Sequence, residues 1–434
     1  MNKIKRIKGR KLKKIKFRKL SEKRWRKKLK RIRNNNGKTK KQINRKNLLL
    51  RKILDKKPIF KIFNQKRFYK KPEIYGNIAF IDIPEVFSFS KNAYDTINVI
   101  KEIAYAARNE YSIFLNHENC KEIDLAASLV MDTIIMEYRN VCKKLKQKIN
   151  FSGKLSKYSN INDILRFSGI VHNLNIEKTR DNSRFKLLPL TKNEESGTMT
   201  TKIIEYYSSC LKTKGYGLTE EGENYFSTMI GEVISNCSDH GGENVQWFAL
   251  GHFITQDGEC NLTIFDFGDT IYEGLKNKTL YQKTANKLEY LTSFHKKMFH
   301  RTDEELLWTL FSLQHGISRL NSAQDETRGQ GTIDLIDSFQ KLGRKYDKDG
   351  NIQKPIMSIT SGNINILFDG TYTIREDENN LKVIAFNAEN SLKNEPDEKY
   401  VKNIGNYFPG TVISIKFFID REYIEYKKVI FATN

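Results

Sequence analysis

The chain has 434 residues, 38% of them hydrophobic, with a mean hydropathy of −0.60, so two or three globular cores fit within it. No apolar run approaches the about 20 residues of a membrane helix, and charges every few residues at the N-terminus exclude a secretory signal. The net charge of +25 is uneven: residues 1–71 hold 33 Lys and Arg against Glu22 and Asp55, and the body beyond them carries −6. A cytoplasmic protein with no transmembrane segment is expected. The cysteines (Cys120, Cys142, Cys210, Cys237 and Cys260) form no CxxC pair, which argues against a zinc site or a disulfide framework.

The first element is a basic arm over 1–72. Ile4, Ile7, Leu12, Ile15, Leu20, Trp25, Leu29 and Ile32 recur at three- to five-residue intervals, a rough helical stripe interrupted at Gly9. Such dense like charge repels itself, so a partly disordered or nascent helical arm is expected, with a second basic helix at Asn47–Asp55. Its cations suit sequence-independent, salt-sensitive nucleic-acid binding. Phe17, Trp25, Phe60, Phe63, Phe68 and Tyr69 could stack on exposed bases. A solvated tail and an anionic membrane surface are the alternatives.

From about Tyr75 strands and helices alternate. IAFIDIPE, YSIFLNHE and KINFSG read as strands, and AYDTINVIKEIAYAAR and IDLAASLVMDTIIMEYRNVCKKL as helices, giving an α/β layer domain over 75–176. An apolar strand, the turn Ile123-Asp124, the long helix after it and a late strand ending at Gly153 resemble the STAS domain of anti-sigma-factor antagonists. In regulatory members a phosphorylatable Ser or Thr follows the turn Asp. Leu125 stands there, so the resemblance implies a docking surface for a protein partner and no phospho-switch at that position. Residues 177–215 are polar without a clear period and read as a linker or lid.

The chemistry is concentrated in 216–434. On the helix around Thr219–His240, Glu232, Asn236 and His240 are four residues apart and form one polar stripe. An amide oxygen can ligate Mg²⁺, and a carboxylate can ligate through water or activate it. In CNLTIFDFGDTI, Asp266 ends a buried strand, where it can accept a hydrogen bond from an exocyclic amine such as that of adenine. Gly268 lets a flat ring approach the backbone. In ETRGQGTIDLIDSFQKLG, Gly329 and Gly331 precede an amphipathic helix, the makings of a phosphate cradle.

Together Glu232-Val-Ile-Ser-Asn236, Asp266-Phe-Gly268-Asp-Thr270 and Gly329-Gln-Gly331 resemble the N, G1 and G2 boxes of the GHKL superfamily of gyrase, heat-shock chaperone, histidine kinase and MutL type. MSITSGNINILF and FPGTVISIKFFI are similar to its later strands. The fold class implied is α/β (α+β), a Bergerat-type sandwich after the STAS-like layer. By the resemblance Asn236 would coordinate Mg²⁺, Asp266 the adenine amine, and Glu232 would orient water or reach the metal through it. His240, Gly268, Thr270, Arg328, Gly329, Gly331 and Thr411 would complete the ATP pocket. Thr270 replaces the second G1 glycine and is expected to stiffen the loop beside the nucleotide.

The chain ends soon after Phe417, leaving no transducer domain, and His172 lies outside any long helical hairpin, which disfavours a kinase. The remaining expectation is a Mg²⁺-dependent ATPase switch of anti-sigma-like type with a nucleic-acid-binding arm, with room for a homodimer. A kinase acting on a separate partner and a non-catalytic nucleotide-gated interaction protein are the rivals. The insertion over Ile271–Thr327 contains TDEELLWTLFSLQHGIS, similar to an ATP-lid helix, with Trp308, Phe311 and Leu313 packing it on the sheet.

Overall fold

The computed structural model describes residues 49–63, 71–167, 169–170, 185–192, 195–213, 215–240, 246–254, 258–277, 280, 282–300, 303–314, 317, 331–341, 345–346, 352–377, 380–418 and 424–426. The fold is mixed α/β, with one sheet largely parallel and the other antiparallel.

The N-terminal layer holds β1 (Glu73–Tyr75), β2 (Ile78–Asp82), β3 (Val86–Phe87), β4 (Ser112–Asn116), β5 (Glu122–Ile123) and β6 (Phe151–Lys154). Its main sheet runs β1-β2-β4-β6, with β2, β4 and β6 parallel. Parallel neighbours need crossover helices, here α1 (Phe89–Arg108) and α2 (Leu125–Lys144), with α3 (Ser159–Phe167) after β6. Ser88 caps α1 by accepting from Lys91 N at 3.2 Å, and Asp124 caps α2 by accepting from Ala127 N at 2.7 Å. Every residue of α2 from Leu125 to Ile135 is buried. A stretch buried around its whole circumference, Ser128 and Asp132 included, needs cover on all sides, and α2 gets it from α1 on one flank and from the second sheet on another.

That second sheet is antiparallel, ordered β13-β16-β10-β9-β7, from β7 (Phe185–Lys192), β9 (Trp247–Ile254), β10 (Glu259–Asp266), β13 (Ile356–Phe368) and β16 (Val401–Phe418). Short pairs trim it: β8 (Tyr216–Leu218) with β17 (Ile424–Tyr426), β11 (Lys345–Tyr346) with β12 (Ile352–Gln353), and β14 (Arg375–Glu376) with β15 (Lys382–Val383). One face carries α4 (Ser196–Lys212), α5 (Glu220–His240) and α9 (Gly331–Lys341), whose apolar stripes bury with Cys260, Leu262, Ile264, Ile413, Ile415 and Phe417. Alternation sends Phe248, Leu250, Phe265, Phe267 and Val412 to the opposite face, where they join the core of α1 and α2. Both faces are therefore buried.

Two expectations change and a third, the packing of the insertion, is met. Residues 177–215 are not simply a linker: β7 forms the sheet edge, and α4 buries Met199, Ile203 and Tyr207 in the main core. The polar surface of α4 hid that stripe. The helix expected at Asn47–Asp55 is present over residues 49–55; what changes is its setting, because with the 3-10 turn Pro58–Phe63 it puts Leu50, Leu54, Ile59, Phe60 and Ile62 in the core. Phe60 is 2% exposed and is core, not a stacking platform. Finally, the insertion provides α6 (Ile271–Lys276), α7 (Gln282–Phe299) and α8 (Glu304–Phe311). Phe311 and Leu313 pack on the sheet as expected, with Trp308 against them, and Leu306, Leu307 and Leu310 join them in the core, so α8 is anchored on β13.

Candidate nucleotide-binding site

Asp266 is the last residue of β10. Cys260, Leu262 and Ile264 point into the helix-covered core, so the two-residue period puts Asp266 on that same side. Its carboxylate is 4% exposed, and Oδ1 accepts from Gly268 N at 2.7 Å. The strand register pairs Phe265 with Val412, which brings Thr411 alongside Asp266 on the same face as Ile413 and Ile415.

Two residues not singled out by the sequence complete this corner. Ser361 lies opposite Thr411 in β13, with its Oγ 3.0 Å from Thr411 Oγ1. It also accepts from Ile271 N at 2.9 Å and lies 3.2 Å from the Gly410 carbonyl oxygen, so one buried hydroxyl ties β13 and β16 to the start of α6. Gly410 has φ of +99°, and a Cβ there would run into the Asp266 carbonyl and stand 2.8 Å from Phe267 Cα. Only glycine permits that approach. The Pro409-Gly410 pair was the sequence signal for it; nothing marked Ser361 within an apolar strand.

Thr270 has a different job from the expected ligand contact. It is the N-cap of α6: its hydroxyl accepts from Glu273 N at 3.1 Å while its own N–H donates to Glu273 Oε2 at 3.0 Å. This reciprocal capping box holds the hydroxyl in the protein, and Thr270 is 1% exposed. Tyr407 donates to the other oxygen of Glu273 at 2.9 Å, and burial followed by Glu273 raises its pKa.

The second corner is built by α5 and α9, which pack together. Glu232 and Asn236 are half-buried one turn apart on α5. Gly331 opens α9, and a Cβ on it would coincide with the Glu232 carboxylate. The carboxylate thus lies at the positive end of α9. The helix α5 also packs on β10, the strand that ends at Asp266. The side chain of His240, and Arg328 and Gly329, lie outside the described residues.

Among the described residues no group of three or more His, Cys, Asp or Glu could hold a metal. An all-protein metal cage is thus missing there. Glu232 and Asn236 bring two oxygen-bearing side chains one turn apart on α5; Mg²⁺ commonly takes one or two protein oxygens and draws the rest from phosphate and water.

No family model, curated protein or solved structure matches the chain. No helix of the described residues is long and apolar enough to cross a membrane.

Proposed function

We propose that the C-terminal half is a Bergerat-type ATP-binding unit of GHKL character, that the N-terminal layer is STAS-like, and that the whole is a cytoplasmic ATPase switch. The observation that carries the reading is Asp266: a buried carboxylate at a strand end, on the helix-covered face, beside Thr411 and bonded to the Gly268 amide. A carboxylate so placed recognises an exocyclic amine by accepting its hydrogen bond, and its desolvation strengthens that bond.

In this mechanism Asp266 fixes the base and Gly268 leaves room for its plane. The α9 N-terminus, led by Gly331, offers amide N–H groups to the phosphates. Asn236 would hold Mg²⁺, with Glu232 reaching it through water. The bound Mg²⁺ supplies charge neutralisation at the phosphates. Glu232 polarises the attacking water, for which it must leave the position against Gly331 that it occupies here. The arm over 1–71 supplies the output, contacting nucleic acid through its phosphates.

The test is titration calorimetry with Mg²⁺ and a non-hydrolysable ATP analogue. Asp266→Asn should abolish binding; equal binding by wild type and Asp266→Asn would remove the pocket assignment. A kinase reading would be favoured over hydrolysis by transfer of label from γ-labelled ATP to protein.

A further inference from the structure

Phe267 follows the adenine-side Asp266 directly, yet its ring points the other way, into the junction with the N-terminal layer. There it lies 5.6 Å from Phe408, which meets Phe89 edge-on at 5.7 Å. All three rings are essentially inaccessible. The backbone between them is equally close, because Gly410 sits against the Asp266-Phe267 peptide. A displacement at Asp266 therefore has no slack to absorb it before Phe89, since packed interiors transmit strain and do not yield.

Phe89 opens α1, and this opening turn is set apart from the rest of the helix. Asn92 has non-helical angles (φ −146°, ψ 59°) that break α1 after Lys91. Asn92 then behaves as a second cap: its amide nitrogen donates to the Val86 carbonyl at 3.2 Å, and Asp95 N reaches its Oδ1 at 3.5 Å. The turn Phe89–Lys91 is gripped from both sides. Asn365 of β13 donates to the Phe89 carbonyl at 3.1 Å, while Ser88 donates to Asp124 at 2.6 Å and lies 2.9 Å from the Ser90 hydroxyl. Beyond the break, Asn406 of β16 donates to the Tyr94 carbonyl at 2.7 Å. The body of α1 is thus fixed to the second sheet independently of its first turn.

We infer that the first turn of α1, hinged at Asn92, moves with nucleotide occupancy at Asp266 through the Phe267–Phe408–Phe89 rings, and so reports that occupancy at the Ser88–Ser90–Asp124 hydrogen-bond cluster. This rests on the ATP reading above. Coupling between distant sites requires an element with two discrete arrangements, and the break at Asn92 is where this turn separates from the rest of α1.

Hydrogen exchange of the full-length protein, with and without saturating Mg²⁺ and AMP-PNP, tests it, saturation being confirmed by calorimetry on the same samples. Amides of residues 88–92 should change their exchange rate by about fivefold or more, the lower end of ordinary coupling between sites. Phe89→Leu, which keeps an apolar side chain, should bring the change below about twofold while AMP-PNP still binds. Asn92→Ala removes the hinge without touching the rings and should do the same, so the test survives if one variant fails to fold. Saturation without any exchange change in wild type, or a full response in a folded variant, overturns the coupling alone. Absence of AMP-PNP binding overturns the ATP reading and the coupling together.

Discussion

Two buried histidines make the fold acid-labile in a range where exposed histidines would not. His117 follows β4, and its Nε2 has no hydrogen-bond partner among the described residues. Burial pushes its pKa down to about 4. His252 lies in β9 on the face turned to α1 and α2; burial takes it to about 4 as well, with Glu259 opposing and Lys416 assisting. In the unfolded chain both return to about 6.5. Between these values the unfolded state binds protons that the folded state refuses, so stability is complete above about pH 6.5 and falls as the pH drops toward 4. At pH 5 each histidine costs about 2 kcal/mol and the pair about 4 kcal/mol, a large share of the 5–15 kcal/mol typical of a domain. Asp124 acts with the opposite sign, because burial raises its pKa, so the comparison must be made against a variant. Urea unfolding followed by tryptophan fluorescence at pH 7.5 and pH 5 should show the loss in wild type. In His117→Gln/His252→Gln most of it should vanish. An equal loss in the double variant would refute the assignment.

Four further outcomes are expected. Gly410→Ala, with its Cβ driven onto the Asp266 carbonyl, should cost about 1–3 kcal/mol in urea unfolding and abolish ATP-analogue binding; an unperturbed protein would contradict the close approach. Gly331→Ala evicts the Glu232 carboxylate from the position it must leave for turnover, so phosphate release should rise relative to analogue binding; a fall would contradict that role. Thr270→Ala should lose about 1 kcal/mol of stability, and Thr270→Ser should restore it, if the hydroxyl serves as a helix cap. Deleting residues 1–47 should abolish a salt-dependent gel shift and leave the unfolding midpoint unchanged. Deleting residues 1–57 also strips Leu50 and Leu54 from the core and should cost about 2–5 kcal/mol for each.

The sequence was most legible where one rule dominates. The apolar run in CNLTIFDF identified β10 with Asp266 at its end, and the four-residue spacing of Glu232 and Asn236 placed both on one helix. It was least legible where tertiary cover overrides local signals. Met199, Ile203 and Tyr207 are spaced for a helix, but the threonines and serines among them disguised α4. Leu50, Leu54 and Phe60 were submerged in a charge run that reads as solvated. The packing of the TDEELLW helix on the sheet was legible from Trp308, Phe311 and Leu313, but that its partner is β13 depends on contacts far away in the chain. Thr270 shows a different limit, since the same residue could serve a ligand or a helix cap, and only the position of Glu273 decides.

The cover on both faces of the second sheet constrains how nucleotide could act on this molecule. Many sheets can respond to a ligand by bending toward their open side, but here Phe248, Phe265 and Val412 are packed under α1 and α2 while Ile264 and Ile413 are packed under the helices of the other face. The strands are therefore poor moving parts. What remains free to change at the described site are its two ends: the α5–α9 contact, where Glu232 rests against a glycine, and the Asp266–Gly410 contact, where two backbones touch. On the proposed reading the first would govern the phosphate end and hence turnover. The second would govern the base end, and leads through Phe267 to the N-terminal layer. Binding and hydrolysis are then separable by design of the fold: Asp266→Asn should remove both, whereas Glu232→Gln should remove phosphate release alone and leave the base-end contact, and whatever it drives, intact.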